Sequence, residues 1–132
     1  MTRPLAALIG LVLLFAAAAA APAEGARGGG RLLDSYIARL SAQDHVNSYG
    51  ERLSSAAAII RQDRANFHVY GRQDSEDEGD SYFSSAGNRA LMEAMLNRGT
   101  ATPGVRRAIV YGEPLVRVDI YPGRVVVTLL DD

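Results

Sequence analysis

The stretch that decides the fold is 115–130, Leu-Val-Arg-Val-Asp-Ile-Tyr-Pro-Gly-Arg-Val-Val-Val-Thr-Leu-Leu. Val116, Val118 and Ile120 alternate with Arg117, Asp119 and Tyr121, and after Pro122-Gly123 the alternation resumes with Val125, Val127 and Leu129. A period of two interrupted by proline-glycine reads as a β-hairpin. If the loop is Pro122-Gly123 alone, Ile120 opposes Val125, Val118 opposes Val127 and Val116 opposes Leu129, so one face is apolar throughout and the register is self-consistent. L-Pro-Gly favours a type II turn, which splays a two-residue hairpin; a bulge or longer loop that shifts the register by one is the competing geometry. A lone hairpin is marginal in water. Its apolar face must therefore pack on what precedes it.

The preceding segments read as helical. Leu33, Tyr36, Ile37 and Leu40 follow i, i+3, i+4, i+7 and predict a first helix from Leu32 to Gln43. Asp44-His45-Val46-Asn47 reads as a turn, because these residues bond their own backbone. Ser48 and Glu51 stand in capping-box spacing and open a second helix that runs to Tyr70, with Gly71 as its stop. Leu53, Ala56, Ala57, Ile60 and Phe67 share one sector of that helix, and Asp63 and Arg64 fall at its edges, half-buried. A charge in that position requires a partner. Ser84 or Ser85 caps a third helix through Leu91, Met92, Met95 and Leu96, ended by Gly99. Thr102-Pro103 opens a short fourth helix with Val105, Ala108 and Ile109, stopped by Gly112. The expected fold class is α+β: three to four helices followed by a C-terminal β-hairpin, in a single small domain over 32–132.

The chain has 132 residues, 48% of them apolar, a net charge of −1 and no cysteine. Of the first 23 residues 18 are apolar, and this concentration is a feature of its own. Arg3, the apolar run Leu5 to Ala21 and the Ala21-Pro22-Ala23 motif before Glu24 have the order of a secretory signal peptide over 1–23. The alternative is an N-terminal membrane anchor, since the run is at the lower limit for spanning a bilayer. Residues 24–31, with three consecutive glycines, form a flexible lead. The expected location is periplasmic or secreted after cleavage, with membrane contact only transiently through the signal peptide. Without cysteine the fold depends on packing alone, and a disulfide scaffold or thiolate metal site is excluded.

All 14 basic residues are arginine. Lysine chemistry such as Schiff-base formation is therefore excluded, while planar binding of carboxylate or phosphate is open. Asp74, Glu76, Asp77, Glu78 and Asp80 place five of the 15 acids in one seven-residue loop. The rest of the mature domain is net basic, so the near-neutral total conceals two opposed regions. The loop is either solvated or folded back on the domain's own arginines. Nothing here resembles a nucleic-acid platform, and no nucleic-acid partner is expected.

The densest polar strings are Arg61-Gln62-Asp63-Arg64-Ala65-Asn66-Phe67-His68 and Asp44-His45-Val46-Asn47-Ser48. Two readings compete for Asp63, Arg64, Asn66 and His68. In one they form a polar network that fixes the second helix. In the other they form a catalytic or anion-binding patch, with Arg64 as anion binder, His68 as general base and His45 as a further candidate. An unbroken second helix would hold His45 and His68 roughly 30 Å apart. A pocket joining His68 to Arg64 and His45 would favour catalysis; Asp63 and Arg64 closed on each other without a cavity would count against it. Asp74, Glu76, Glu78 and Gly79 fit the first positions of an EF-hand loop, but Ser85 stands where a bidentate Glu is needed. Asp74, Glu76, Glu78 and Asp80 remain candidates for a cation site. No cofactor is implied.

The strings Asp44 to Gly50, Ile60 to His68 and Glu76 to Asp80 resemble small, uncharacterised exported bacterial proteins. The resemblance implies export and one compact domain, and it supplies no activity, ligand or catalytic residue. The leading functional expectation is a non-enzymatic binding or assembly role with an envelope protein partner, through the edge of the hairpin. The alternative is a small hydrolase or anion-binding protein built on the Asp63, Arg64, Asn66 and His68 cluster.

Overall fold

The computed structural model describes residues 30–131. The expected signal peptide and the lead before Gly30 lie outside them. No described helix is long and apolar enough to cross a membrane.

The hairpin forms as read. β2 (Leu115–Tyr121) and β3 (Arg124–Leu129) pair antiparallel, with Val116 opposite Leu129, Val118 opposite Val127 and Ile120 opposite Val125. Gly123 has φ 72°, which after proline's fixed negative φ is the pattern of a type II turn. The register nevertheless does not shift. Val116, Val118, Ile120 and Val125 are all fully buried, and a slip by one residue would turn them outward.

The first expected helix is a strand. β1 (Asp34–Arg39) pairs antiparallel with β2 and completes a sheet in the order β1-β2-β3. Tyr36, Ala38 and Leu40 are buried at alternate positions, and Ile37 sits on the opposite face, half-buried. The apolar residues of so short a stretch satisfy a period of two as well as 3.6, and the need of the hairpin for a third strand decides between them.

The second helix starts later than expected. α1 (Ala56–Ala65) is capped by Ser55, whose hydroxyl accepts from the Ala58 amide. Ser48 and Glu51 make no capping box, because Asn47 Oδ1 takes the amides of Tyr49 and Glu51 and closes a loop there instead. α1 runs unbroken through Arg61 to Arg64 and then widens into a π-helical turn, Asn66–Tyr70, that ends at Gly71 with φ 63°. The third helix is divided at Leu91 into α2 (Ala86–Ala90), capped by Ser85, and α3 (Met92–Arg98). α4 (Pro103–Tyr111) follows its expected signals, with Thr102 as cap and Pro103 in the first turn. The helices cover the face of the sheet that carries Tyr36, Ala38, Val118 and Val127, enclosing Ile59, Ile60, Phe83, Met92, Met95, Leu96 and Ile109. Mixed α+β architecture with a C-terminal hairpin is thus the observed fold.

Candidate functional site

Arg64 is the centre of the polar cluster and is fully buried rather than half-buried. It comes from the inward face of α1, next to Ile60. Its Nε donates to Asp63 Oδ2 at 2.7 Å, and its Nη1 donates to Asp80 Oδ1 and to the Glu78 carbonyl, each at 3.0 Å. The guanidinium lies between two rings, 3.8 Å from the Tyr36 centroid and 4.8 Å from that of Phe67. Nη2 has no hydrogen-bond acceptor and is left to the ring faces, which supply cation–π attraction in its place. His68 Nε2 meets the same Asp80 Oδ1 at 2.9 Å, and Asp80 Oδ2 accepts from the Phe83 amide at 2.6 Å. Every charged group of the cluster is committed to the fold.

Asn66 extends the cluster to the turn before α1. Its Nδ2 donates to Asp44 Oδ1 at 2.9 Å and to the Gln43 carbonyl at 3.2 Å. The turn therefore lies against the end of α1, which corrects the expectation that it sits at the helix start, some 30 Å from His68 by helix geometry. The helix-free segment 46–55 carries the chain away before α1 brings it back. His45 is taken up separately: Nδ1 lies 2.8 Å from the Ser41 carbonyl and Nε2 2.8 Å from the Ile109 carbonyl. Both ring nitrogens thus face main-chain carbonyls, which anchor the ring between the turn and α4.

Burial dominates the electrostatics. It pushes Asp63 up to about 7 despite Arg64 beside it, and Asp44 up to about 6 despite the bonds from Asn66 and Ser41. Burial works against the charge of Arg64, but Tyr36, Asp63 and Asp80 hold its pKa above the ordinary value. The remaining acids of the loop bond to protein donors. Asp74 accepts from the Ser41 hydroxyl, Glu76 pairs with Arg39 and Asp77 accepts the Arg39 amide. Glu78 Oε1 accepts the Ile37 amide. Among the described residues no group of three or more His, Cys, Asp or Glu is arranged to hold a metal ion.

The acidic loop has thus folded back on its own domain, and it seals one edge of the sheet. The outward amides of Ser35, Ile37 and Arg39 on β1 each meet a carboxylate, from Asp34, Glu78 and Asp77 respectively. The other edge is closed only over its first half. Thr100 donates to the Val125 carbonyl at 3.1 Å and accepts from the Val127 amide at 2.9 Å. By the alternation of an antiparallel ladder the Val127 carbonyl and the Leu129 amide also point outward, and no hydrogen bond joins them to another described residue. Beside this open half, α4 and the end of β3 enclose a groove of about 610 Å³ lined by Arg107, Tyr111, Pro114 and Leu129. A second concavity of about 410 Å³, reaching His45, Val46 and Arg52, shares Tyr111 with it. Tyr111 itself is 81% exposed.

Asp63, Arg64, Asn66 and His68 line neither of these concavities. Sequence reasoning missed Tyr36 as the platform for Arg64, and it missed Thr100 and Tyr111. The charge segregation pointed to the Asp80 contact, but no local pattern marks Thr100. Comparison with models of known families, with curated proteins and with solved structures finds no match.

Proposed function

We propose that the protein is an exported, non-enzymatic domain that binds or assembles a protein partner in the cell envelope, by adding a strand of that partner to the open half of β3. The observation that carries this reading is the unequal treatment of the sheet edges: β1 is blocked at each outward amide, while β3 keeps unpaired backbone groups beyond Val127. Unpaired strand edges are templates for a further strand, and the grooves beside Tyr111 and Leu129 give side chains of that strand a place to rest. Export and periplasmic location rest on the signal-peptide pattern of 1–23. The hydrolase or anion-binding reading of Asp63, Arg64, Asn66 and His68 has less support, since Asp63 and Arg64 close on each other and both are buried.

The test is a photoreactive residue at Thr128 in the full chain, produced in a Gram-negative cell. A crosslinked protein adduct in the periplasmic or membrane fraction is expected, and Leu129→Pro should abolish it, because proline removes the outward donor without touching a ladder bond. A protein retained in the cytoplasm overturns export; an adduct unchanged by Leu129→Pro overturns strand addition.

A further inference from the structure

A different cavity, of about 360 Å³, opens on the other side of α1 and does not depend on the strand-edge reading. Its wall includes Arg61 and Arg89 and no carboxylate, and an apolar side is formed by Leu53, Ala58 and Ala86. Arg89 is only 8% exposed. Its Nη1 is taken by the Phe83 and Ser84 carbonyls at 2.8 and 3.0 Å, and Nε and Nη2 have no hydrogen-bond partner among the described residues. These two atoms are not sealed from solvent in the way Arg64 Nη2 is. No described carboxylate lies within ion-pair distance of either arginine; Glu93 shares only the neighbouring concavity with Arg61.

Burying a guanidinium without a counter-ion is unfavourable, and two carbonyl dipoles offset it only in part. Nε–H and Nη2–H of one guanidinium point the same way and match the two oxygens of a planar carboxylate. We propose that this cavity binds a small organic carboxylate, held side-on by Nε and Nη2 of Arg89, with its carbon skeleton against Leu53, Ala58 and Ala86 and with Arg61 attracting it at the mouth. The same chemistry is offered by a free acid and by the terminal carboxylate of a peptide, whereas phosphate lacks the apolar part that this wall fits.

The experiment is calorimetric titration of the purified protein with succinate, with a short peptide bearing a free C-terminus, with the same peptide amidated, and with inorganic phosphate. Saturable binding of succinate or of the free-ended peptide is expected, whichever binds identifying the source of the carboxylate, and the amidated peptide should not bind. Arg61→Gln, at an exposed position, should weaken binding by about threefold, the scale of a solvent-exposed charge attraction. Arg89→Met should abolish it if circular dichroism shows the variant folded; should it not fold, Arg61→Gln still decides. Arg117→Gln on the outer face of the sheet serves as the control and should bind as the parent does. No saturation by either carboxylate probe below about 10 mM, binding of phosphate alone, or affinity unchanged in Arg61→Gln would each overturn the assignment.

Discussion

The two edges of the sheet are protected by different chemistry. At β1 the seal is made mainly by side chains: Glu78 and Asp77 of the loop and Asp34 of the strand itself bond the outward amides, one main-chain bond runs from the Glu78 amide to the Ile37 carbonyl, and Arg39 and Arg64 hold the loop through Glu76 and Asp80. At β3 the seal is main chain on main chain. It is possible because residue 99 is glycine, where a Cβ would stand 1.7 Å from the Val125 carbonyl oxygen. A seal of charges is visible in a charge pattern and answers to pH. A seal of backbone rests on the absence of one atom and contains no titratable group, so the two edges should fail under different perturbations.

The largest effect is expected at the charged edge. Arg64→Met retains bulk for the Tyr36 and Phe67 rings but leaves Asp63 and Asp80 buried without their cation, which should lower the unfolding free energy by about 3–5 kcal/mol in urea denaturation. The loss should be smaller at pH 5, where Asp63 is protonated, than at pH 8. An equal loss at both would mean that the side chain acts by packing alone. The backbone edge is broken by Gly99→Ala. The clash is with Val125 main chain, which has no flexible end to yield, and the expected destabilisation is about 3 kcal/mol, independent of pH. A wild-type midpoint for this variant would show that Gly99 does not set the approach of Thr100 to β3.

This contrast also explains what was legible. The hairpin, its register and α4 could be read because short-range rules decide them: alternation around Pro122-Gly123, and Thr102-Pro103 at a helix start. β1 could not, because its apolar positions fit two periods and its identity depends on β2, about 80 residues away, as the Tyr36–Val118 pairing shows. Of the polar cluster, Asp63 and Arg64 were marked by their place beside an apolar sector, and Asp80 by the segregated charge. The carbonyl partners of His45 were not, since Ile109 O belongs to another helix and a backbone acceptor leaves no trace in residue type. Arg89 illustrates the same limit: nothing in the run Ser85 to Ala90 distinguishes a buried guanidinium from a solvated one.

The charged edge also makes stability depend on pH, with a sign set by Asp63 and Asp44. Asp63 at about 7 and Asp44 at about 6 lie above the ordinary Asp value of 3.8, so between these limits the folded protein binds more protons than the unfolded chain. Their contribution to stability is full below the ordinary value and is lost as pH rises through 6 to 7. Asp34, Glu76 and Asp131 are shifted downward, by the Ser81 amide, by Arg39 and by the Leu115 amide respectively, and their contribution disappears only as pH falls below the ordinary carboxylate range. From pH 8 to pH 5 the first pair therefore dominates. Acidification should stabilise the domain by about 2 kcal/mol, short of the full two-proton linkage because the Asp44 charge is part of what raises Asp63, so protonating one eases the other. Melting followed by circular dichroism should show Tm higher at pH 5 than at pH 8 by several degrees. Asp63→Asn, which keeps the shape but removes the proton site, should flatten most of that slope, while Gly99→Ala should leave it in place on a lower baseline. A parent Tm that falls on acidification over this window would mean that Arg64 holds Asp63 ionised against its burial, and that the β1 edge is sealed by a full ion-pair network rather than by a partly protonated one.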